Sequence, residues 1–308
     1  MPNRSRVLVT GGAGFIGRRV VGALLAEGHE VAVVDLQSHP DTARVRSVVG
    51  DLTDARTVEQ AVEPGTDAII HLAAVTSVLE SVKDPVRTYR LNVDATARLL
   101  EAARENEVGT FVLASTNAVA GSGSAGTGSM TETVPLRPLT PYGATKAAAE
   151  MILNAYASSY GIAGVALRFS NVYGPGMEAK DSFIPRLMRA ARDGEGVQIR
   201  GDGSMRRDVV HVDDVVQGML LAWHARATGP LILGSGQSVT VNDMVLTARK
   251  VTGRPIPAVH VPEQPGEMAA VVLDISAIRR LGYEPRYDLE KGMATVWPDF
   301  DVEGGGRQ

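Results

Sequence analysis

The 308-residue sequence has no cysteine, which excludes disulfide cross-links and thiolate catalysis and fits a reducing compartment. It has no strong excess of either charge. Lys plus Arg number 31 against 35 Asp plus Glu, and the net charge of −4 argues against a nucleic-acid or anionic-membrane surface as the main partner. No apolar run approaches the ~20 residues that span a bilayer. The first residues, MPNRSRVLVTGG, enter a strand pattern at once, with no signal-peptide core. The six histidines, at 29, 39, 71, 211, 224 and 260, show no paired ligand spacing such as H-E-x-x-H, so no metal site is expected. These absences point to a cytoplasmic protein without membrane or nucleic-acid partners.

What is there is ordinary globular material. Apolar residues make up 44% and charged residues 21%, and the length allows a large core in two domains. Short apolar runs at 6–10, 30–35, 45–49, 67–72, 110–115 and 162–169 alternate with amphipathic stretches at 15–27, 54–63, 84–106 and 142–160. Val-, Ile- and Leu-rich runs without polar alternation mean strands covered on both faces. Their alternation with helices predicts a doubly wound parallel sheet. After about residue 171 Pro and Gly punctuate shorter elements, with helices expected at 182–193, 212–226, 241–252 and 287–297. The division expected is therefore a dinucleotide-binding domain over 1–171 and a smaller mixed α/β substrate domain over 172–308. The Gly/Ser stretch 121–129 reads as a loop and DVEGGGRQ as a frayed tail.

VLVTGGAGFIGRRVV sets Gly11, Gly12, Gly14 and Gly17 between a strand and a helix. Such glycines let the backbone approach a pyrophosphate, and the helix N-terminus offers N–H groups and its positive dipole end. Phe15 and Ile16 open that helix. Asp35, which closes the second strand 18 residues after Gly17, can accept hydrogen bonds from a ribose diol and repel a 2′-phosphate, which favours NAD over NADP. Leu36 follows it. Asp51 and Leu52, after the third strand, are placed to meet an adenine. Leu72, Ala73 and Ala74 end the fourth strand, where small residues let a cofactor lie against the backbone, while His71 beside them reads as structural.

The fifth strand ends in small polar residues, Ser115, Thr116 and Asn117, and PYGATKAAAE puts Tyr142 and Lys146 at i and i+4 on one helix face. An adjacent ammonium is expected to lower the Tyr142 pKa from its usual ~10 and make the phenol a base near neutrality.

With these residues in place, the chain resembles the extended short-chain dehydrogenases/reductases, in particular the nucleotide-sugar epimerase/dehydratase family. The resemblance runs over about 5–298 through TGGAGFIG, the acid at 35, GDL, HLAA, YGATK, RFSNVYGP and RRDVVHVDD. It implies a Rossmann-type α/β fold, bound NAD, a nucleotide-sugar substrate (a UDP-sugar above all) and a homodimer formed through helices 84–106 and 142–160. It also implies roles. Tyr142 takes the proton of the sugar 4-hydroxyl as hydride leaves C4 for NAD. Lys146 holds the nicotinamide ribose, Thr116 hydrogen-bonds the reacting oxygen with Ser115 alongside, and Asn92 lines the cofactor site. Asn171 and Arg207 meet the substrate diphosphate, Phe183 and Ile184 form a wall near it, and Glu267 binds the nucleotide ribose.

Departures from the family pattern narrow the reaction. Dehydratases of the family place an Asp-Glu pair directly after the Thr, and uronate decarboxylases keep a Glu at the second of these places. Here the two positions are Asn117 and Ala118. A strand-end hydroxyl without acids suits plain 4-epimerisation through a transient 4-keto sugar. An Arg expected before the C-terminal Pro-Gly is Gln264, and Val271 stands where plain-hexose enzymes carry a Tyr, leaving room for a 2-acetamido group. Glu178 opposes a uronate carboxylate, whereas Lys180 can replace the Arg that uronate epimerases use there. Ala120 replaces an aromatic, without an evident consequence. The expectation is a UDP-glucose/UDP-galactose-type 4-epimerase. A UDP-glucuronate 4-epimerase, a nucleotide-sugar 4-ketoreductase or other secondary-alcohol dehydrogenase, and a non-enzymatic dinucleotide sensor are the alternatives.

Overall fold

A computed structural model describes residues 4–121, 129–262 and 272–301. The first half follows the alternation of its sequence: β1 (Arg6–Thr10), α1 (Phe15–Ala26), β2 (Glu30–Asp35), β3 (Val45–Val49), α2 (Ala55–Ala61) and β4 (Ala68–His71). The stretch expected as one helix over 84–106 is helical from Pro85 to Glu105, with one π-helical turn inside it. A short α3 (Val78–Lys83) precedes it, Asp84-Pro85 separates the two, and α4 (Pro85–Tyr89) passes through a π-helical turn at Arg90–Asp94 into α5 (Ala95–Glu105). Proline at the first helical position has no N–H to continue the preceding helix, and the Asp84 carboxylate accepts from Arg87 N instead at 2.9 Å. Then come β5 (Thr110–Thr116), the 20-residue α6 (Pro141–Tyr160) and β6 (Ala163–Phe169).

The remaining elements are β7 (Asn171–Tyr173), α7 (Phe183–Asp193), β8 (Val197–Arg200), β9 (Arg206–His211), α8 (Val212–His224), β10 (Gly229–Leu233), β11 (Ser238–Thr240), α9 (Val241–Thr252), β12 (Ala258–Val261), α10 (Ser276–Arg279) and α11 (Leu289–Val296). Seven strands form one parallel sheet in the order β10-β6-β5-β4-β1-β2-β3. Its outermost strand on one side, β10, comes from beyond residue 172, so the chain crosses the expected division and returns to finish the main sheet.

One face of this sheet packs under α1 and α8 through Val20, Leu24, Met219 and Trp223, the other under α2, α5 and α6 through Val58, Leu99, Leu100 and Leu153. Burying a Leu of this kind is worth about 1.5–3 kcal/mol. A separate core of Tyr173, Met188, Met244, Met293 and Phe300 holds α7, α9 and α11 beside a small sheet, β11-β9-β7, and the pair β12-β8. Both parts meet at the C-terminal edge of the main sheet, where ligands of such folds bind.

Candidate active site

The loop from β1 to α1 is shaped by backbone contacts that side chains would block. Gly11 adopts φ +69°, its N–H reaches Val34 O at 2.8 Å, and a Cβ there would sit 2.8 Å from Ala73 N. A Cβ on Gly17 would stand 2.1 Å from Gly11 O, so α1 lies directly against the loop. No side chain caps α1 at Gly14, which leaves the anion-binding end of the helix open. In front of it lies a cavity of about 370 Å³.

Gly11, Gly14, Phe15, Ile16 and Gly17 line this cavity on one side, and Asp35, Leu36, Asp51 and Leu52 line its far end. Asp35 also braces the glycine loop, accepting from Ala13 N at 3.0 Å. Leu72, Ala73 and Ala74 form a third wall. His71 behind them is fully buried, and burial holds its pKa down at about 3. Thr10 Oγ1 accepts from Leu72 N and Ala73 N and lies 2.7 Å from His71 Nδ1; Thr96 Oγ1 donates to Asn92 O and lies 3.0 Å from Nε2. The only consistent assignment puts the His71 proton on Nε2. His71 is thus a neutral structural link, as its sequence context suggested.

Asn92 does not line the cavity. It is 1% exposed in the π-helical turn, accepts from Val75 N at 2.8 Å, and donates to Val75 O and Thr145 Oγ1, both at 3.0 Å. Its action is indirect: it holds the Leu72–Thr76 backbone, including Val75 and Thr76, which do line the site.

At the chemical end, β5 and α6 meet residue by residue. Lys146, 3% exposed, donates from Nζ to Ala114 O at 2.9 Å. Ser115 Oγ donates to Glu150, and Thr116 hydrogen-bonds the Tyr142 phenol. Ser115, Tyr142 and Lys146 line the cavity; Thr116, 9% exposed, is not among the lining residues. Burial lowers Lys146 to about 8, opposed by the Glu150 carboxylate. The expected low Tyr142 pKa is not what the structure gives. Burial pushes the phenol up to about 12, opposed by the Thr116 hydrogen bond, so desolvation outweighs the lowering expected from the neighbouring Lys146 ammonium.

The residues expected to meet substrate are more scattered. Asn117 is half-buried in the 3-10 turn that follows β5, with Ala118 N donating to Thr116 Oγ1 at 3.2 Å. Asn171 is exposed and donates from Nδ2 to Asp208 O at 3.0 Å. Arg207 is half-buried and donates to Arg206 O at 2.9 Å. Ile184 is 4% exposed and belongs to the second core, with Phe183 packed against it, so neither lines the cavity described above. Gln264, Glu267 and Val271 lie outside the described residues. Sequence reasoning missed Arg87 and Leu91 as lining residues; Lys180, noted only for a carboxylate, lines the same cavity. Arg87 lies on the helix expected over 84–106, but nothing in its spacing told which face turns to the cavity.

The fold also gathers three groups that no spacing revealed. His29 Nε2 and His224 Nε2 lie 3.3 and 3.1 Å from Glu27 Oε2. Ser5 N, however, donates to His29 Nδ1 at 3.2 Å, so this ring carries its proton on Nε2 and turns it to Glu27. A metal on Nε2 requires the opposite tautomer, with Nδ1–H facing an acceptor. The trio is a cluster of side chains gathered on the Glu27 carboxylate, not a metal centre.

The site fits a dinucleotide: a glycine cradle that Cβ atoms would fill, an open helix N-terminus, an acid at the ribose end and a Tyr–Lys pair at the other. Comparison with known proteins agrees. The model of the NAD dependent epimerase/dehydratase family matches residues 7–232. The UDP-glucose 4-epimerase of Corynebacterium glutamicum is 32% identical over 315 residues, covering 95% of this chain and 94% of the relative. The dTDP-glucose 4,6-dehydratase of Streptomyces griseus is 35% identical over 309 residues, covering 95% of this chain and 93% of the relative. The crystal structure of UDP-glucose 4-epimerase from Thermotoga maritima with UDP-glucose superposes with a TM-score of 0.89 at 33% identity, covering 96% of this chain and 98% of that one. The chain belongs to the NAD dependent epimerase/dehydratase family.

Proposed function

We propose that this protein is an NAD-dependent nucleotide-sugar 4-epimerase of the UDP-glucose/UDP-galactose type. The observation that carries the reading is the end of β5. Thr116 is followed by Asn117 and Ala118, so the edge that holds the hydroxyl offers no carboxylate for eliminating water. Among the described residues, the acids lining the cavity are Asp35 and Asp51, at the β2 and β3 end, with β4 and β1 between them and β5.

Bound in the cavity, NAD would supply the hydride chemistry at the sugar C4, namely removal of hydride and its return to the opposite face. The chain's own part is proton handling and restraint. Tyr142 takes the 4-hydroxyl proton and later gives it back. Thr116 hydrogen-bonds the phenol and holds its pKa down against burial, and Lys146 one helical turn away supplies positive charge. Asp35 favours the unphosphorylated adenosine ribose. Asn171, Arg207, Phe183, Ile184 and Glu267 are proposed for the sugar nucleotide. A homodimer through α4, α5 and α6 is proposed as well, supported by Val86 and Met151, which are 60% and 66% exposed on α4 and α6; light scattering tests it.

Lys180 on the cavity wall favours one second reading, a UDP-glucuronate 4-epimerase in which it holds the carboxylate. Proton NMR of the purified protein with UDP-galactose, UDP-N-acetylglucosamine, UDP-glucuronate and dTDP-glucose, without added cofactor, decides between them. Conversion of a UDP-hexose to its 4-epimer is the expected result. Conversion of UDP-glucuronate alone selects the second reading, and a 4-keto-6-deoxy product from dTDP-glucose refutes both.

A further inference from the structure

The reaction outlined above leaves one buried charge without a task. Glu150 lies eight residues past Tyr142 and four past Lys146, so the three share one stripe of α6. Each meets one of three successive residues at the end of β5: Lys146 at Ala114, Glu150 at Ser115, Tyr142 at Thr116. Glu150 is 7% exposed and Arg168 4%. Arg168 Nη2 donates to Glu150 Oε2 at 2.8 Å and Nε to Oε1 at 3.1 Å. Arg168 stands directly across from Ser115 in the β5–β6 register, which explains why both reach the same carboxylate. Its Nη1 donates to Glu132 O at 3.0 Å.

A buried ion pair is a poor way to stabilise a helix on a sheet, since apolar residues of similar volume do as well or better. The pair has a different consequence here. Ser115 lines the cavity and donates its hydroxyl hydrogen bond to Glu150, so the Ser115 oxygen faces the cofactor site as an acceptor only. The Glu150 charge also opposes the loss of the Lys146 proton that burial promotes.

We propose that Glu150, clamped by Arg168, is a positioning residue of the active site that fixes the Ser115 hydroxyl toward itself and sets a buried carboxylate one helical turn from Lys146. The proposal rests on the reading of Tyr142 and Lys146 as the reacting pair.

The test compares the wild type with Glu150→Gln, Glu150→Asp and the apolar pair Glu150→Leu with Arg168→Met. Two quantities are measured from pH 6 to 9: kcat and KM on whichever nucleotide sugar the wild type epimerises, and the NAD retained after dialysis. In the Gln and Leu/Met proteins the alkaline midpoint of kcat is expected at least one pH unit lower. At pH 7 kcat falls tenfold or more with KM within twofold, and NAD retention fails at correspondingly lower pH. Glu150→Asp restores both midpoints toward the wild type. If the Leu/Met protein does not fold, the Gln and Asp proteins decide by the same criteria. Wild-type midpoints in a folded charge-free variant overturn the proposal. If the wild type epimerises no sugar, the reading of the reaction fails, and NAD retention alone judges Glu150: a displaced midpoint supports its role and an unchanged one refutes it.

Discussion

Two glycines in α1, five residues apart, are predicted to respond to the same substitution with opposite sign. At Gly17 a Cβ would lie 2.1 Å from Gly11 O and 2.6 Å from Gly12 Cα, both backbone atoms, where ordinary contact begins at 3.4 Å. The carbonyl cannot swing aside without opening the turn, so α1 must retreat by more than 1 Å from the loop it braces. Overpacking of this kind costs about 1–3 kcal/mol. It also pulls the helix N-terminus away from the pyrophosphate position. At Gly22 nothing lies within 4 Å of a new Cβ. Alanine in a helix interior is favoured over glycine by about 0.5–1 kcal/mol. Urea unfolding with NAD titration measures both. Gly22→Ala is expected to raise the midpoint and leave NAD affinity unchanged. Gly17→Ala is expected to lower the midpoint and weaken NAD at least tenfold, about 1.4 kcal/mol. A Gly17→Ala protein that binds NAD as the wild type does would show that the glycine cradle is not where the dinucleotide sits.

Three other outcomes follow from the buried groups. Lys146 titrates at about 8 instead of 10.5 in the fold, so its favourable contribution is complete above pH 10.5 and gone below 8. At pH 7 Lys146→Met should therefore stabilise the cofactor-free protein, by about 3 kcal/mol at most, while abolishing epimerisation; thermal melts and the NMR assay read the two effects. His71, held down at about 3, contributes stability that is full above pH 6.5 and lost as pH falls toward 3. Between pH 6.5 and 4 the wild type should lose about 3 kcal/mol more than His71→Asn, measured by denaturant midpoints. Asn92→Leu leaves the Val75 N–H and C=O without partners at about 1–3 kcal/mol each, so urea midpoints should fall and NAD retention with them, whereas Asn92→Asp, which keeps the acceptor, should lie between.

The sequence was most legible where one residue type has one physical use. Glycines at a strand–helix turn, Asp35 at a strand end and the Tyr142–Lys146 spacing each point to a ligand, and all of them line one cavity. Residues that act through others were harder. Asn92 was expected at the cofactor, but its amide is spent on Val75, a contact set by a π-helical turn that no period of 3.6 reveals. Glu150 sits in plain view four residues past Lys146, yet an acid in an Ala-rich helix reads as surface until Arg168 arrives from β6 to pair with it. The Tyr142 pKa went astray because spacing reports the ammonium and not the desolvation that outweighs it. The helix start at Asp84-Pro85 was readable from the proline and the capping aspartate. The return of β10 to the main sheet was not, because a five-residue strand such as GPLIL carries no mark of its partner.

That returning strand constrains how the protein is made. On the ribosome, β6 is complete at Phe169, but the strand that covers its open edge ends at Leu233, about sixty residues later. At 5–20 residues per second the nascent sheet presents an unpaired, fully buried-type edge for roughly 3–12 s. During that interval the glycine loop, Asp35, Tyr142 and Lys146 have all been synthesised, while the sheet beneath them is unfinished. Interrupting synthesis or truncating the chain between residues 170 and 228 should accordingly yield an aggregation-prone fragment and not an independent cofactor-binding module.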